Sequence, residues 1–96
     1  MGGHTKRCVR VAITGKVQGV WYRAWTQEEA RDLGLDGWVR NRRDGSVEAV
    51  FAGGAETIDA MLKLCRSGPP LARVKNVEVE EWDEHPGLGF EQRPTC

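Results

Sequence analysis

The sequence predicts an α+β fold, a mainly antiparallel sheet with two helices on one face, from three observations. The chain has 96 residues, enough for one hydrophobic core and too few for two. Stretches of period-two and helical spacing alternate along it in the order β-α-β-β-α-β, with a further short β segment at the end. The two middle β segments are joined by a short connection containing Asp44-Gly45, which pairs them as an antiparallel hairpin. In a chain of this size that order makes two split βαβ units, the ferredoxin-like α/β sandwich. In that topology the first strand pairs with the third and the second lies further out.

Each element has its own signal. Val9, Val11 and Ile13 alternate with Arg10, Ala12 and Thr14, so the first strand buries one face and ends near Gly15. From Trp21 the spacing changes: Tyr22, Thr26, Ala30 and Leu33 form one stripe, Gln27, Glu28, Arg31 and Asp32 face water, and Gly34 stops the helix. Trp38 to Asn41 and Val47 to Phe51 are the hairpin strands, with Gly53 and Gly54 expected to break the second. Ile58, Met61, Leu62 and Cys65 stand at i, i+3, i+4 and i+7, and Gly68-Pro69-Pro70 ends that helix. Val74 to Trp82 reads as a strand carrying Val77 and Val79 on one face, with a parity slip at Trp82 that indicates a bulge or the strand's end. Gly89-Phe90-Glu91 is a last short edge strand. The domain is expected to span residues 7 to 93, between a flexible start over residues 1 to 6 and a tail over residues 94 to 96.

The stretch from Gly15 to Arg23 lies between the first strand and the first helix. Its glycines, Gly15 and Gly19, permit positive φ and a close backbone approach to a ligand. Successive N–H groups in such a turn, with the free amides and positive dipole end of the following helix, make an anion site. Arg23 falls in the first helical turn, where its planar guanidinium can grip phosphate or carboxylate at two points. This reads as a phosphate cradle. Taken singly, the same glycines are ordinary turn chemistry, Arg23 is readable as a solvated helix residue, and Asn41 as a strand-end residue.

Composition limits the function classes. Fourteen basic and fourteen acidic side chains cancel, which argues against general binding to nucleic acid or membrane. The charge is unevenly spread: residues 1 to 43 hold nine Lys/Arg against four Asp/Glu, and residues 44 to 96 hold five against ten. The basic half contains the cradle. Cys8, Cys65 and Cys96 form no metal-ligand pattern, so no metal site is expected; free thiols in a reducing cytosol are the simpler reading, with pairing of two of them left open. The start has no apolar signal-peptide core and no run reaches membrane-spanning length, so a cytoplasmic protein is expected. Neither a GxGxxG after the first strand nor a GxxxxGK[ST] is present, which argues against dinucleotide and P-loop enzymes. Tyr22, Trp25 and Trp38 are assigned to the core or its margin, and His4 and His85 to the surface.

Two long segments carry a resemblance. Gly15-Lys16-Val17-Gln18-Gly19-Val20-Trp21-Tyr22-Arg23 resembles the first signature of the acylphosphatase family, G-x-V-Q-G-V-x-[FY]-R, and Gly37-Trp38-Val39-Arg40-Asn41, continuing through Gly45, Val47 and Gly53, resembles its second. Every fixed position of both is matched, in the right order and separation, and Gly68-Pro69-Pro70 with Ala72-Arg73-Val74 resembles the family's loop after the second helix. The resemblance implies hydrolysis of acyl phosphates to a carboxylate and inorganic phosphate, without metal or cofactor; a monomer is the expected state. It implies that Arg23 and the loop amides of Gln18, Gly19, Val20, Trp21 and Tyr22 bind the phosphoryl group and that Asn41 positions the attacking water. No strong base is evident, so the substrate's own phosphoryl oxygen is expected to take the proton.

The chain departs from the family at two places. Many members carry a hydroxyl residue after the asparagine, where this chain has Arg42, and some end on an aromatic residue, where this chain ends Arg93-Pro94-Thr95-Cys96. Two other readings stay open at this level: a non-catalytic anion-binding module, and an RNA-binding domain of the same architecture, for which the sheet offers only Trp38 and Phe51 on its middle strands.

Overall fold

A computed structural model describes residues 6 to 96; His4 and the rest of the expected flexible start lie outside the described residues, and Lys6 already opens a strand. The elements are β1 (Lys6–Lys16), α1 (Tyr22–Asp32), β2 (Asp36–Asn41), β3 (Val47–Gly54), α2 (Ala55–Ser67), β4 (Arg73–Glu81) and β5 (Phe90–Gln92). They form one five-stranded sheet in the order β4-β1-β3-β2-β5. All neighbours are antiparallel except β5, which runs parallel to β2. The first strand therefore pairs with the third and the second lies outside it, as the split βαβ order requires.

Alternation decides the core. Val9, Val11 and Ile13 of β1 and Val47, Ala49 and Phe51 of β3 are fully buried on the face covered by the helices. Tyr22, Thr26 and Ala30 from α1 and Ile58, Met61, Leu62 and Cys65 from α2 meet them there. The Tyr22 hydroxyl donates to the Cys65 carbonyl at 2.6 Å and so ties the two helices. Burial pushes that hydroxyl's pKa well up, and it pushes the Cys65 thiol up to about 12.

Two expectations need correction at their edges, and one left open is decided. Gly53 and Gly54 do not break β3; they pair with Arg7 and Lys6, and Gly54 then caps α2. Of the two readings offered for the parity slip at Trp82, the strand's end holds, since β4 closes at Glu81; a bulge does occur in β4, but at Lys75, the extra residue between Asn76 and Val74 opposite Thr14 and Gly15. Gly15 has φ 120, and a Cβ there would stand 2.2 Å from the Arg73 carbonyl oxygen. Its glycine serves the β1–β4 pairing and not the cradle.

The helix-free face of the sheet is held by charge and aromatic surface. Arg40 sits opposite Glu48 across β2 and β3, and both Arg40 and Arg10 of β1 donate to the Glu48 carboxylate. The Glu48 side chain is only 5% exposed. Trp38, buried as expected, lies on this face and not among the helix-side residues; the guanidinium groups of Arg40 and Arg93 stack on it at 4.7 and 4.8 Å. Arg10 lies over Trp82 at 5.9 Å.

Burial alone would raise the pKa of Glu48, but the hydrogen bonds from Arg40 and Arg10 outweigh it and hold the carboxyl below its ordinary range. A depressed folded-state pKa gives stability that is fully present above the ordinary carboxylate range and is lost as pH falls through the folded value. Glu48→Gln is expected to lower unfolding stability at pH 7 by about 3 kcal/mol. In urea denaturation the two proteins should converge as the pH is taken into the acid range; a gap that stays constant would mean packing, not charge, is lost.

Candidate active site

The register of the sheet decides which residues meet. Asn41 pairs with Val47, and Val47 pairs with Ile13, so the end of β2 and the exit of β1 lie at the same edge of the sheet. The loop from Val17 to Trp21 leaves β1 there. Gln18 pins it: its side-chain amide donates to the carbonyls of Arg42 at 2.7 Å and Ser46 at 2.8 Å, on the hairpin that follows Asn41. Val17 and Val20 are buried beneath the loop, at 1% and 4% exposure.

The loop ends in an unusual backbone. Gly19 has φ 71, and Trp21, the N-cap of α1, has φ 68, a left-handed conformation that costs a bulky L-residue about 1–2 kcal/mol. No side chain caps the helix and no acidic residue lies in its first turn. Among the described residues, no backbone carbonyl accepts from an amide between Gln18 and Ala24; the first such bond in the helix runs from Trp25 to Trp21. These are the free donors and positive dipole end that an anion would satisfy.

A pocket of about 430 Å³ opens at this point, lined by Val17, Gly19, Trp21, Tyr22, Arg23, Ala24, Asn41 and Gln92. Arg23 is half-buried in the first turn of α1, and it takes part in none of the ion pairs among the described residues. The Asn41 Oδ1 atom is buried and has no hydrogen-bond partner among the described residues. A partnerless buried acceptor costs stability unless a ligand or water completes it. Gln18 and Val20 of the expected cradle do not line the pocket: the first braces the loop and the second anchors it.

Gln92 was not singled out by the sequence. It reaches the pocket because β5 runs parallel to β2, pairing Gln92 with Val39, and the chain continues along β2 through bonds from Arg93 to Val39 and from Cys96 to Asn41. The tail expected over residues 94 to 96 is thus hydrogen-bonded beside the site. Gln92 also donates to Gln27 of α1, while Gln27 and Arg31 donate to the Phe90 carbonyl, so α1 is fastened to β5. Phe90 stacks on Phe51 with ring centroids 5.6 Å apart, which seats the last strand on the core. A short strand paired only at its backbone gives no periodic signal from which this could be read.

Arg42, in place of a hydroxyl residue, contributes its carbonyl to Gln18 and its amide to the Ser46 carbonyl at 2.9 Å. Both roles are backbone roles. Among the described residues no cluster of three His, Cys, Asp or Glu side chains is arranged to hold a metal ion, and no helix is long and apolar enough to cross a membrane. Cys8, Cys65 and Cys96 are free thiols.

The acylphosphatase family model matches residues 9 to 92. An acylphosphatase of Rhizorhabdus wittichii is 56% identical over 86 residues, covering 90% of this chain and 87% of its own. Among solved structures, an acylphosphatase from Coxiella burnetii superposes with a TM-score of 0.88 at 38% identity, covering 92% of this chain and 93% of its own. An acylphosphatase from Bacillus subtilis gives a TM-score of 0.86 at 31% identity, covering 93% and 99%. A partnerless arginine and asparagine beside free loop amides, on a chain matched along nearly its whole length, lead to one assignment: the chain belongs to the acylphosphatase family.

Proposed function

We propose that the acyl-phosphate hydrolysis of this family is carried out here by Arg23, the amides leading into α1, and Asn41. As a member of the family the chain hydrolyses acyl phosphates to a carboxylate and inorganic phosphate. The observation that carries the residue assignment is the buried, partnerless Asn41 Oδ1 in the same pocket as the unpaired Arg23 guanidinium. One group of this pair is suited to hold a water, the other to hold a phosphoryl group.

The phosphoryl oxygens bind the Arg23 guanidinium and the amides of Gly19, Val20, Trp21 and Tyr22, with the dipole end of α1 behind them. The Gln18 amide belongs to the same turn, while its side chain keeps the loop in position. Asn41 Oδ1 accepts one hydrogen of a water and so turns the water's lone pair toward phosphorus. The water oxygen attacks, the bond from phosphorus to the acyl oxygen breaks, and the carboxylate departs with the electron pair. The water's proton passes to a phosphoryl oxygen. Of the lining residues only Arg23 and Tyr22 are titratable, and the Tyr22 hydroxyl is spent on the Cys65 carbonyl, so no side-chain base competes for that role. Catalysis then rests on charge stabilisation and on orientation of the nucleophile, which is what phosphoryl transfer needs.

The helix-free face supports this reading over RNA binding. Phe51 points into the core and Trp38 lies under two guanidinium groups, so neither ring is free to stack on a base. The reading is of a cytoplasmic monomer, and the three free thiols fit the reducing compartment.

Purified protein is expected to release phosphate from benzoyl phosphate in the presence of a chelator. Arg23→Ala and Asn41→Ala, both folded by circular dichroism, should each lower kcat/KM by roughly a hundredfold to a thousandfold. They should differ in binding: inorganic phosphate inhibits Asn41→Ala as it does the unaltered protein, and loses its hold on Arg23→Ala. Full phosphate binding by the unaltered protein with no turnover would instead identify a binding module.

The pH profile is a separate check. From about pH 5 to 8 the unaltered protein should show no ionisation beyond that of the substrate's phosphate, because no His, Cys, Asp, Glu or Lys lines the pocket. In Asn41→Asp a carboxylate faces the phosphoryl group, so turnover should fall as pH rises through that carboxylate's titration. Equal profiles for the two proteins would remove Asn41 from the water-binding role.

A further inference from the structure

The strain at Trp21 has no return inside the protein. A left-handed residue is needed at that point to converge the amides on the pocket, and glycine would adopt it without cost. A tryptophan stands there instead, and the residue is 77% exposed, so packing does not offset the backbone penalty. The same residue lines the pocket beside Arg23 and Asn41. Among the other apolar lining residues, Val17 and Tyr22 are buried at 1% exposure, which leaves the Trp21 ring as the large apolar surface presented at the opening.

We propose that the exposed ring of Trp21 is the acyl-group recognition surface of this enzyme, favouring acyl phosphates with a flat, apolar acyl group over those with a short one. The inference rests on the reading of the pocket as the phosphoryl site. With the phosphoryl end held by the loop amides and Arg23, the acyl group is the part of the substrate left to extend out of the pocket. The leaving carboxylate departs opposite the attacking water, hence away from Asn41 and the sheet edge. Trp21 belongs to the other wall, the loop. An aromatic acyl group passing that wall stacks on the indole ring, and an acetyl group is too small to cover it. Asp and Glu are absent from the pocket lining, so nothing there opposes an anionic leaving group.

The test compares kcat/KM for benzoyl phosphate and acetyl phosphate, by phosphate release, in the unaltered protein, Trp21→Asn and Trp21→Phe. Asparagine tolerates the left-handed conformation and removes the ring, while phenylalanine keeps a ring on the same backbone. The ratio of the two kcat/KM values, benzoyl over acetyl, is expected to fall about tenfold in Trp21→Asn, mostly through KM. In Trp21→Phe it should stay within about threefold of the unaltered protein. A ratio unchanged in Trp21→Asn overturns the proposal even if both activities drop together, because a change in the phosphate cradle alone lowers both alike. No turnover of either substrate by the unaltered protein overturns the phosphoryl-site reading itself, and the proposal with it.

Discussion

A set of backbone amides held in place without partners is the constraint around which the rest of the molecule is arranged. An amide normally finds an acceptor within the fold, and a helix start normally finds a capping side chain. Here the turn leading into α1 has neither, and it also carries a left-handed tryptophan. Such a turn would relax unless it were held from outside. Val17 and Val20 hold it from below as buried anchors, and Gln18 holds it from the side through two carbonyls of the β2–β3 hairpin. The same hairpin carries Asn41, so one interaction both stiffens the loop and sets its distance from Asn41.

The two faces of the sheet solve different problems. The helix-covered face is filled by side chains from both helices, and its buried hydroxyls are spent locally, Tyr22 on the Cys65 carbonyl and Thr26 on the Tyr22 carbonyl. Among the described residues no helix or strand covers the other face, yet Trp38, Val50 and Glu48 are buried on it. Long arginine side chains do the covering: their stems and planes lie over Trp38 and Trp82, and their charges meet on Glu48. Two guanidinium groups on one carboxylate satisfy it more fully than one could, which makes its burial tolerable. None of these arginines, nor Glu48, lines the pocket, so the network acts on the frame.

Within the site, what was legible follows from how each residue is specified. Arg23 and Asn41 are readable because they sit at fixed places in two long signatures, and the types themselves suit an anion and a water. Gln18 was readable as part of the first signature but not in its bracing role, since its partners are carbonyls more than twenty residues away, which carry no sequence identity. Gly15 illustrates the reverse error. A glycine beside a phosphate turn looks like part of the turn, whereas its positive φ answers the approach of the Arg73 carbonyl on the neighbouring strand. Gln92 and the exposure of Trp21 had no signal at all.

By itself the sequence determined the kinds and order of the elements, because alternation and helical spacing reflect which face of each segment must leave water. It also determined the family, through two long signatures matched at every fixed position, in order and separation. Tertiary structure alone decided the register that sets Asn41, Val47 and Ile13 in one row. It decided too that the last strand would run parallel beside β2 and bring Gln92 to the pocket. The physical reason is common to both: strand register and edge pairing are made by backbone groups, which are the same in every residue, so their partners are chosen only when the packed core selects one alignment over the rest.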